Sequence, residues 1–99
     1  MAGEEKRFEN KIKRYLDSKG IWYVKFFANA FTRSGIPDIL CCVNGKFVSI
    51  EVKAETGRLS DLQMIEMERI CKSGGIALCI KPSQFDWLKN KIEVMLDEG

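Results

Sequence analysis

The chain has 99 residues, a length typical of one domain, and we expect a single domain over residues 1–99. Sixteen Lys plus Arg residues against fourteen Asp plus Glu residues give a formal net charge of +2, so net charge alone does not predict binding to a polyanion. Histidine is absent, which excludes Ser-His-Asp and Cys-His catalytic systems and every metal site built on imidazole. The available chemistry is that of carboxylates, lysines and thiols.

The cysteines and the apolar runs indicate the cellular setting. The four cysteines contain no C-x-x-C pair, so we interpret them as small apolar residues in a reducing cytosol. The longest apolar runs, 39–43 and 76–80, are far shorter than the roughly 20 residues of a membrane span. The polar opening of the chain carries no secretory signal. We therefore expect a cytoplasmic protein that makes no contact with a membrane.

The first predicted element is an amphipathic helix over residues 4–19. Apolar side chains recur along it at spacings of three and four residues, and Gly20 follows at the position of a C-cap. Its other faces carry the densest basic stretch of the chain, which is either a solvated surface or a contact for phosphates: Lys6, Arg7, Lys11, Lys13 and Arg14.

Three strands should follow the helix. Residues 21–27 are rich in aromatic and β-branched side chains and predict a strand, and residues 28–35 predict a polar loop. Residues 38–43 and 46–53 flank Asn44-Gly45, a pair typical of a type I′ turn, and so predict a β-hairpin.

The second half predicts a helix, a strand and a helix. Ser60 and Gln63 form a capping-box pattern that opens a helix to about Lys72. The apolar run 76–80 predicts a strand that lies parallel to an earlier one and is buried on both faces. We expect Ser83 to cap a last helix that ends near Leu96. The order α-β-β-β-α-β-α predicts an α/β fold, with a mixed central sheet flanked by helices.

The register of the hairpin brings two acidic residues together. A symmetric turn at Asn44-Gly45 places Asp38 directly opposite Glu51, with both side chains on one face. Opposed Cβ atoms lie about 4.5–5.5 Å apart, and two unit charges at about 5 Å repel by roughly 3 kcal/mol at an effective dielectric near 20. The pair is tolerated if one carboxyl is protonated, if a cation lies between them, or if the strand ends separate.

A cation at this position would be a hard one. Carboxylate and backbone oxygens prefer Mg²⁺ or Mn²⁺. Lys53 lies two residues beyond Glu51 and projects from the same side of the strand, which places an ammonium group beside the ion. A carboxylate pair, a divalent ion and a lysine are suited to hydrolysis of phosphodiesters.

These residues also resemble a known signature. Gly35-Ile36-Pro37-Asp38 followed by Glu51-Val52-Lys53 resembles the PD-(D/E)xK nuclease motif. The run 57–60 followed by Gln63 narrows the resemblance to the VRR-NUC (virus-type replication-repair nuclease) family, especially its small standalone phage-type members. The resemblance covers roughly residues 8–89 and implies a restriction-endonuclease-like PD-(D/E)xK core.

The resemblance assigns roles to individual residues. It implies that Asp38, Glu51 and the backbone carbonyl of Val52 bind Mg²⁺ or Mn²⁺, and that Lys53 is the catalytic lysine. Glu9 matches the acidic residue of the family's first helix, a catalytic residue that binds the metal directly or through a water, and Gln63 matches the glutamine of the helix after the motif. Alternatively, Gln63 only completes the capping box and Glu9 only pairs with Lys13.

Contacts with DNA are predicted from loops and from the first helix. Arg33, Ser34 and Arg58 flank the motif strands and are candidates for phosphate contact, as are Lys11 and Arg14; ordinary loop polarity is the alternative. We expect Trp22 and Trp87 to be core or dimer contacts.

The combined expectation is a metal-dependent endodeoxyribonuclease that needs no small-molecule cofactor. The resemblance further implies a homodimer that acts on branched DNA, similar to Holliday junction resolvases. Two other classes fit the sequence less well: a catalytically inactive nucleic-acid-binding module with a nuclease fold, and a structural or regulatory phage protein.

Overall fold

The computed structural model describes residues 3–98; Met1, Ala2 and Gly99 lie outside the described residues. Its elements follow the predicted order and have these bounds: α1 Glu4–Ser18, β1 Trp22–Lys25, β2 Ile39–Val43, β3 Lys46–Val52, α2 Asp61–Lys72, β4 Ile76–Ile80, a 3₁₀ turn Pro82–Gln84, and α3 Phe85–Asp97. The predicted α-β-β-β-α-β-α order is confirmed.

The four strands form one mixed sheet in the order β1-β2-β3-β4. Strand β2 is antiparallel to both β1 and β3, and β4 runs parallel to β3. This confirms the α/β fold with a mixed sheet flanked by helices, consistent with a PD-(D/E)xK core.

The main core lies between one face of the sheet and helices α1 and α3. Alternate residues of β2 and β3 point into it, and the two helices contribute apolar stripes at spacings of three and four residues. The buried members are Phe8, Ile12, Leu16, Ile21, Ile39, Cys41, Val43, Val48, Ile50, Val52, Ile80, Leu88, Ile92 and Met95. Helix α2 packs against β4 on the opposite face, which also carries Glu51.

The hairpin turn follows the sequence rule. Asn44 and Gly45 both have positive φ, 50° and 80°, as a type I′ turn requires. Val43 pairs with Lys46 and Ile39 pairs with Ile50, so the predicted register is confirmed.

Strand β4 corrects one expectation. It is not buried on both faces, since Ile80 is buried whereas the residues before it are half-buried. Within residues 3–98 it lies at the edge of the sheet and pairs with β3. An edge position leaves one side of the strand without a neighbour, which the apolar run alone could not reveal.

The structure contradicts the expectation for Ser83 and one of the two alternatives for the tryptophans. Ser83 does not cap the last helix, because it lies inside the 3₁₀ turn that Pro82 opens and donates from its backbone N–H and its hydroxyl to Glu55, at 2.9 and 2.6 Å. Trp22 and Trp87, expected in the core or in a dimer contact, lie outside the core, since they are 63% and 53% exposed on β1 and α3; the dimer contact stays a prediction.

Candidate active site

The two acidic residues of the hairpin meet where β2 begins and β3 ends. Extending the Ile39–Ile50 pairing by one residue places Asp38 opposite Glu51. One oxygen of Asp38, Oδ2, accepts a hydrogen bond of 2.8 Å from the backbone N–H of Val52. The carboxylate of Asp38 is thereby fixed against the neighbouring strand.

Glu51 is buried, with a relative exposure of 4%. Burial, followed by the negative charge of Asp38, raises the pKa of Glu51 well above that of an exposed glutamate, although Lys53 opposes the shift. Without a cation, the site therefore favours a proton on the carboxyl group of Glu51. Protonation of one carboxyl group is one of the three alternatives given above for tolerating the acidic pair.

Gln63 has both of the roles considered for it. Its Oε1 accepts from the backbone N–H of Ser60 at 2.8 Å, which completes the capping box of α2. Its Nε2 donates to Oε2 of Glu51 at 3.1 Å. One amide thus anchors the start of α2 and orients the buried carboxyl group.

Lys53 lies beside the same carboxyl group. Its Nζ is 3.7 Å from Oε2 of Glu51, and its side chain is 14% exposed. The turn from Ala54 to Gly57 folds back on it, so closely that a Cβ on Gly57 would lie 3.3 Å from the Cβ of Lys53. The next residue, Arg58, lines an open cleft of about 670 Å³, to which Lys81 also contributes.

Glu9 is also buried, but three lysines surround it. Its carboxylate lies 2.9 Å from Lys25, 3.1 Å from Lys6 and 3.2 Å from Lys13. Burial raises the pKa of Glu9, but the hydrogen bonds from these lysines outweigh it and lower the pKa to about 2. The predicted pairing with Lys13 is present as one of three ion pairs.

Lys25 is the site residue that the sequence analysis missed. Its Nζ lies 2.9 Å from Oε1 of Glu9 and 3.2 Å from Oδ1 of Asp38, so it joins the first helix to the acidic pair. Burial lowers the pKa of Lys25, but the hydrogen bond to Glu9 and the negative charge of Asp38 outweigh burial. The net result is a raised pKa, so the side chain stays an ammonium. No local sequence pattern indicated this, because the pairing of Lys25 with Ile39, next to Asp38, depends on the register of β1 and β2 across a long loop.

The donors fit one magnesium-like ion. Among residues 3–98, no group of three or more His, Cys, Asp or Glu side chains is arranged to hold a metal. Mg²⁺, however, keeps several waters and commonly uses only one or two carboxylates. Asp38 and Glu51 supply two carboxyl groups at one strand end, and Val52 adds a backbone carbonyl between Glu51 and Lys53.

The predicted loop contacts differ in their surroundings. Arg33 is held by Glu66 of α2 through two hydrogen bonds, 2.7 Å from Nε and 3.1 Å from Nη2. Its guanidinium is thus already paired, whereas Ser34 is exposed and Arg58 faces the cleft described above.

The basic residues of α1 divide into two faces. Lys6 and Lys13 point toward the candidate site and contact Glu9. Lys11 lies about 160° around the helix from Glu9, and its ammonium rests over the ring of Phe85 at 4.6 Å. Arg14 shares a groove with Lys11 on this far side. The structure therefore does not bring Lys11 and Arg14 to the acidic pair.

Comparison with known proteins identifies the family of this chain. Neither a search of curated proteins nor a search of solved structures gave a match. The sequence model of the VRR-NUC domain matches residues 11–84, which include Lys25, Asp38, Glu51 and Lys53, whereas Glu9 lies before the matched range. The match covers most of the chain, and this nuclease family generally uses divalent metals. The chain belongs to the VRR-NUC family of nuclease domains.

Proposed function

We propose that this protein is an endodeoxyribonuclease that uses Mg²⁺ or Mn²⁺ to hydrolyse phosphodiester bonds of DNA. The observation that carries the proposal is the buried Glu51 carboxyl group, opposite Asp38 and 3.7 Å from the ammonium group of Lys53. Burying an acidic pair is unfavourable for folding, and a divalent ion held by the two carboxyl groups would relieve the repulsion. The family match, which is to a nuclease domain, supports the same conclusion.

In this proposal, residues at the end of the hairpin bind the metal, contact the reacting groups and fix the ligands in position. Asp38, Glu51 and the carbonyl of Val52 would hold the ion, which would supply a water of lowered pKa and neutralise charge on the phosphate. Lys53 donates a hydrogen bond to the attacking water or to the phosphate oxygen that gains charge. Gln63 and the N–H of Val52 fix the carboxyl groups in place, at 3.1 and 2.8 Å.

Two separate basic regions are available for the DNA backbone. The cleft with Arg58 and Lys81 lies beside the loop that folds over Lys53, so it is placed to hold the strand that is cut. Lys11 and Arg14 lie on the far side of α1 and would contact a second segment of DNA. A substrate that offers two segments, such as branched DNA, fits this arrangement.

A homodimer is part of the proposal. A two-fold dimer matches the symmetry of a DNA junction and adds buried area to a small domain. No helix within residues 3–98 is long and apolar enough to cross a membrane. We place the reaction in the cytoplasm, where DNA is accessible and the four free thiols stay reduced.

A cleavage assay tests the proposal. Branched and linear duplex DNA are incubated with the protein and Mg²⁺ or Mn²⁺, with and without a chelator. We expect cleavage that the chelator abolishes and that Asp38→Asn removes. Asp86→Asn is the matched control, since that carboxylate is 91% exposed and pairs only weakly with Lys89 at 3.4 Å. Tight binding of intact DNA by the wild type would instead identify an inactive binding module.

A further inference from the structure

Lys25 occupies the space between two carboxylates that the family resemblance assigned to a metal. Its ammonium contacts Glu9 at 2.9 Å and Asp38 at 3.2 Å, and its side chain is only 19% exposed. The ammonium group of Lys25 therefore already neutralises Oε1 of Glu9 and Oδ1 of Asp38.

The remaining oxygens of the same two residues are also engaged. Oδ2 of Asp38 accepts from the N–H of Val52, and Oε2 of Glu9 contacts Lys6 and Lys13. A divalent ion bound to Glu9 would have to displace Lys25 and would then lie close to two more ammonium groups. Like charges at such short range repel strongly in a half-buried site.

The other side of Asp38 has a different balance of charge. Glu51 is buried there, and among residues 3–98 it forms one ion pair, with Lys53 at a longer 3.7 Å. An ion held there would meet the carboxyl groups of Asp38 and Glu51 and the more distant ammonium group of Lys53.

We propose that Lys25 is a positioning residue that takes the place of a second metal ion, so that the site binds a single divalent ion on the Glu51 side of Asp38. Glu9 is then the anchor of Lys25 and not a metal ligand. The inference rests on the proposed metal site and specifies how many ions it holds.

The number of bound ions is the direct test. Metal-free protein is titrated with MnCl₂ in a calorimeter, and we expect one ion per chain for the wild type. Lys25→Met removes the ammonium group and leaves Glu9 and Asp38 facing each other, so we expect a second ion to bind. Lys13→Met is the matched control, because Lys13 touches Glu9 at 3.2 Å but has no ion pair with Asp38, and it should still bind one ion.

Thermal unfolding gives a second readout. Without metal, Lys25→Met should unfold at a lower temperature than Lys13→Met. Added Mn²⁺ should raise the unfolding temperature of Lys25→Met by more than that of Lys13→Met. Two ions per wild-type chain, or a single ion in folded Lys25→Met, would overturn the inference. If Lys25→Met does not fold, the count for the wild type decides alone.

The cleavage assay separates this inference from the proposed function. Two ions per chain in an active nuclease refute the role of Lys25 and leave the function standing. One ion in a protein that cuts no DNA refutes the function and leaves the ion count standing. A protein that binds no ion and cuts no DNA refutes both.

Discussion

Replacing Glu51 with glutamine should stabilise the metal-free protein while removing its ability to bind a metal. The carboxyl group is buried at 4% exposure and faces Asp38. Glutamine keeps the size of the side chain, and its amide oxygen can still accept the hydrogen bond that Gln63 donates at 3.1 Å. The substitution therefore removes a charge and little else.

The magnitude follows from three contributions. Repulsion between the two carboxylates at about 5 Å is roughly 3 kcal/mol, and desolvation of a buried ion adds several kcal/mol to the cost of ionising Glu51. Attraction between Glu51 and Lys53 at 3.7 Å offsets about 4 kcal/mol of the cost of ionising Glu51. At a pH where Glu51 is ionised in the wild type, we expect Glu51→Gln to raise the free energy of unfolding by about 1–3 kcal/mol. Each kcal/mol should raise Tm by about 4–8 °C.

The gain should depend on pH. The pKa of Glu51 is raised in the folded state, so its protonation favours folding below the unfolded pKa of the group, and this contribution is lost as the pH rises through the folded pKa. At about pH 5 the wild-type carboxyl is already protonated and the two proteins should unfold alike. At about pH 9 the variant should be the more stable, and the affinity of the wild type for Mn²⁺ should rise over the same range.

Thermal unfolding followed by circular dichroism, with a chelator or with Mn²⁺, measures both effects. At a metal concentration of about 100 Kd the wild type should gain roughly 2.7 kcal/mol, whereas Glu51→Gln should gain little. Glu66→Gln is the control: this carboxylate is also buried, but Arg33 pairs with it through two hydrogen bonds, so the same substitution should destabilise. Destabilisation of metal-free Glu51→Gln at alkaline pH, or an undiminished gain from Mn²⁺, would refute the reasoning.

Other substitutions test neighbouring parts of the account. Lys53→Met should reduce DNA cleavage to background without weakening Mn²⁺ binding in calorimetry; lost Mn²⁺ affinity would contradict its proposed role. Gly35→Ala should lower Tm and cleavage together, because its Cβ would lie 2.5 Å from the carbonyl oxygen of Leu62 at the start of α2. Gly20→Ala, where φ is +67° but no atom lies within 4 Å, supplies the comparison for backbone strain alone, and equal losses in Tm would argue against the clash. Lys11→Ala should reduce the salt dependence of DNA binding by about one unit of slope, and an unchanged slope would remove that face from the DNA interface.

The acidic pair was predictable because a local rule sets it. The Asn44-Gly45 turn fixes the pairing of the two flanking strands, and counting outward from the turn reaches Asp38 and Glu51. Gln63 was predictable as a cap for the same reason, since the capping box spans only a few residues. Its contact with Glu51 depends on how α2 packs on the sheet, and the sequence supported it only through the resemblance to the family.

The missed or mistaken features depend on contacts that are distant along the chain. Lys25 reaches Asp38 only because β1 pairs with β2 across a long loop, and nothing local to residues 26–37 sets that register. The run 76–80 has the composition of an interior strand, yet β4 lies at the edge of the sheet. Ser83 matches a cap by residue type, but Pro82 starts a 3₁₀ turn first and Glu55 binds the hydroxyl group of Ser83.

The position of a bound Mn²⁺ ion shows whether Asp38 and Glu51 form the metal site. Crystals of the wild-type protein soaked in MnCl₂ are measured at a wavelength where manganese scatters anomalously. We predict one anomalous peak between the carboxyl oxygens of Asp38 and Glu51, with Lys25 still in contact with Glu9. No peak at this position, or a peak against Glu9 with Lys25 displaced, would contradict the account.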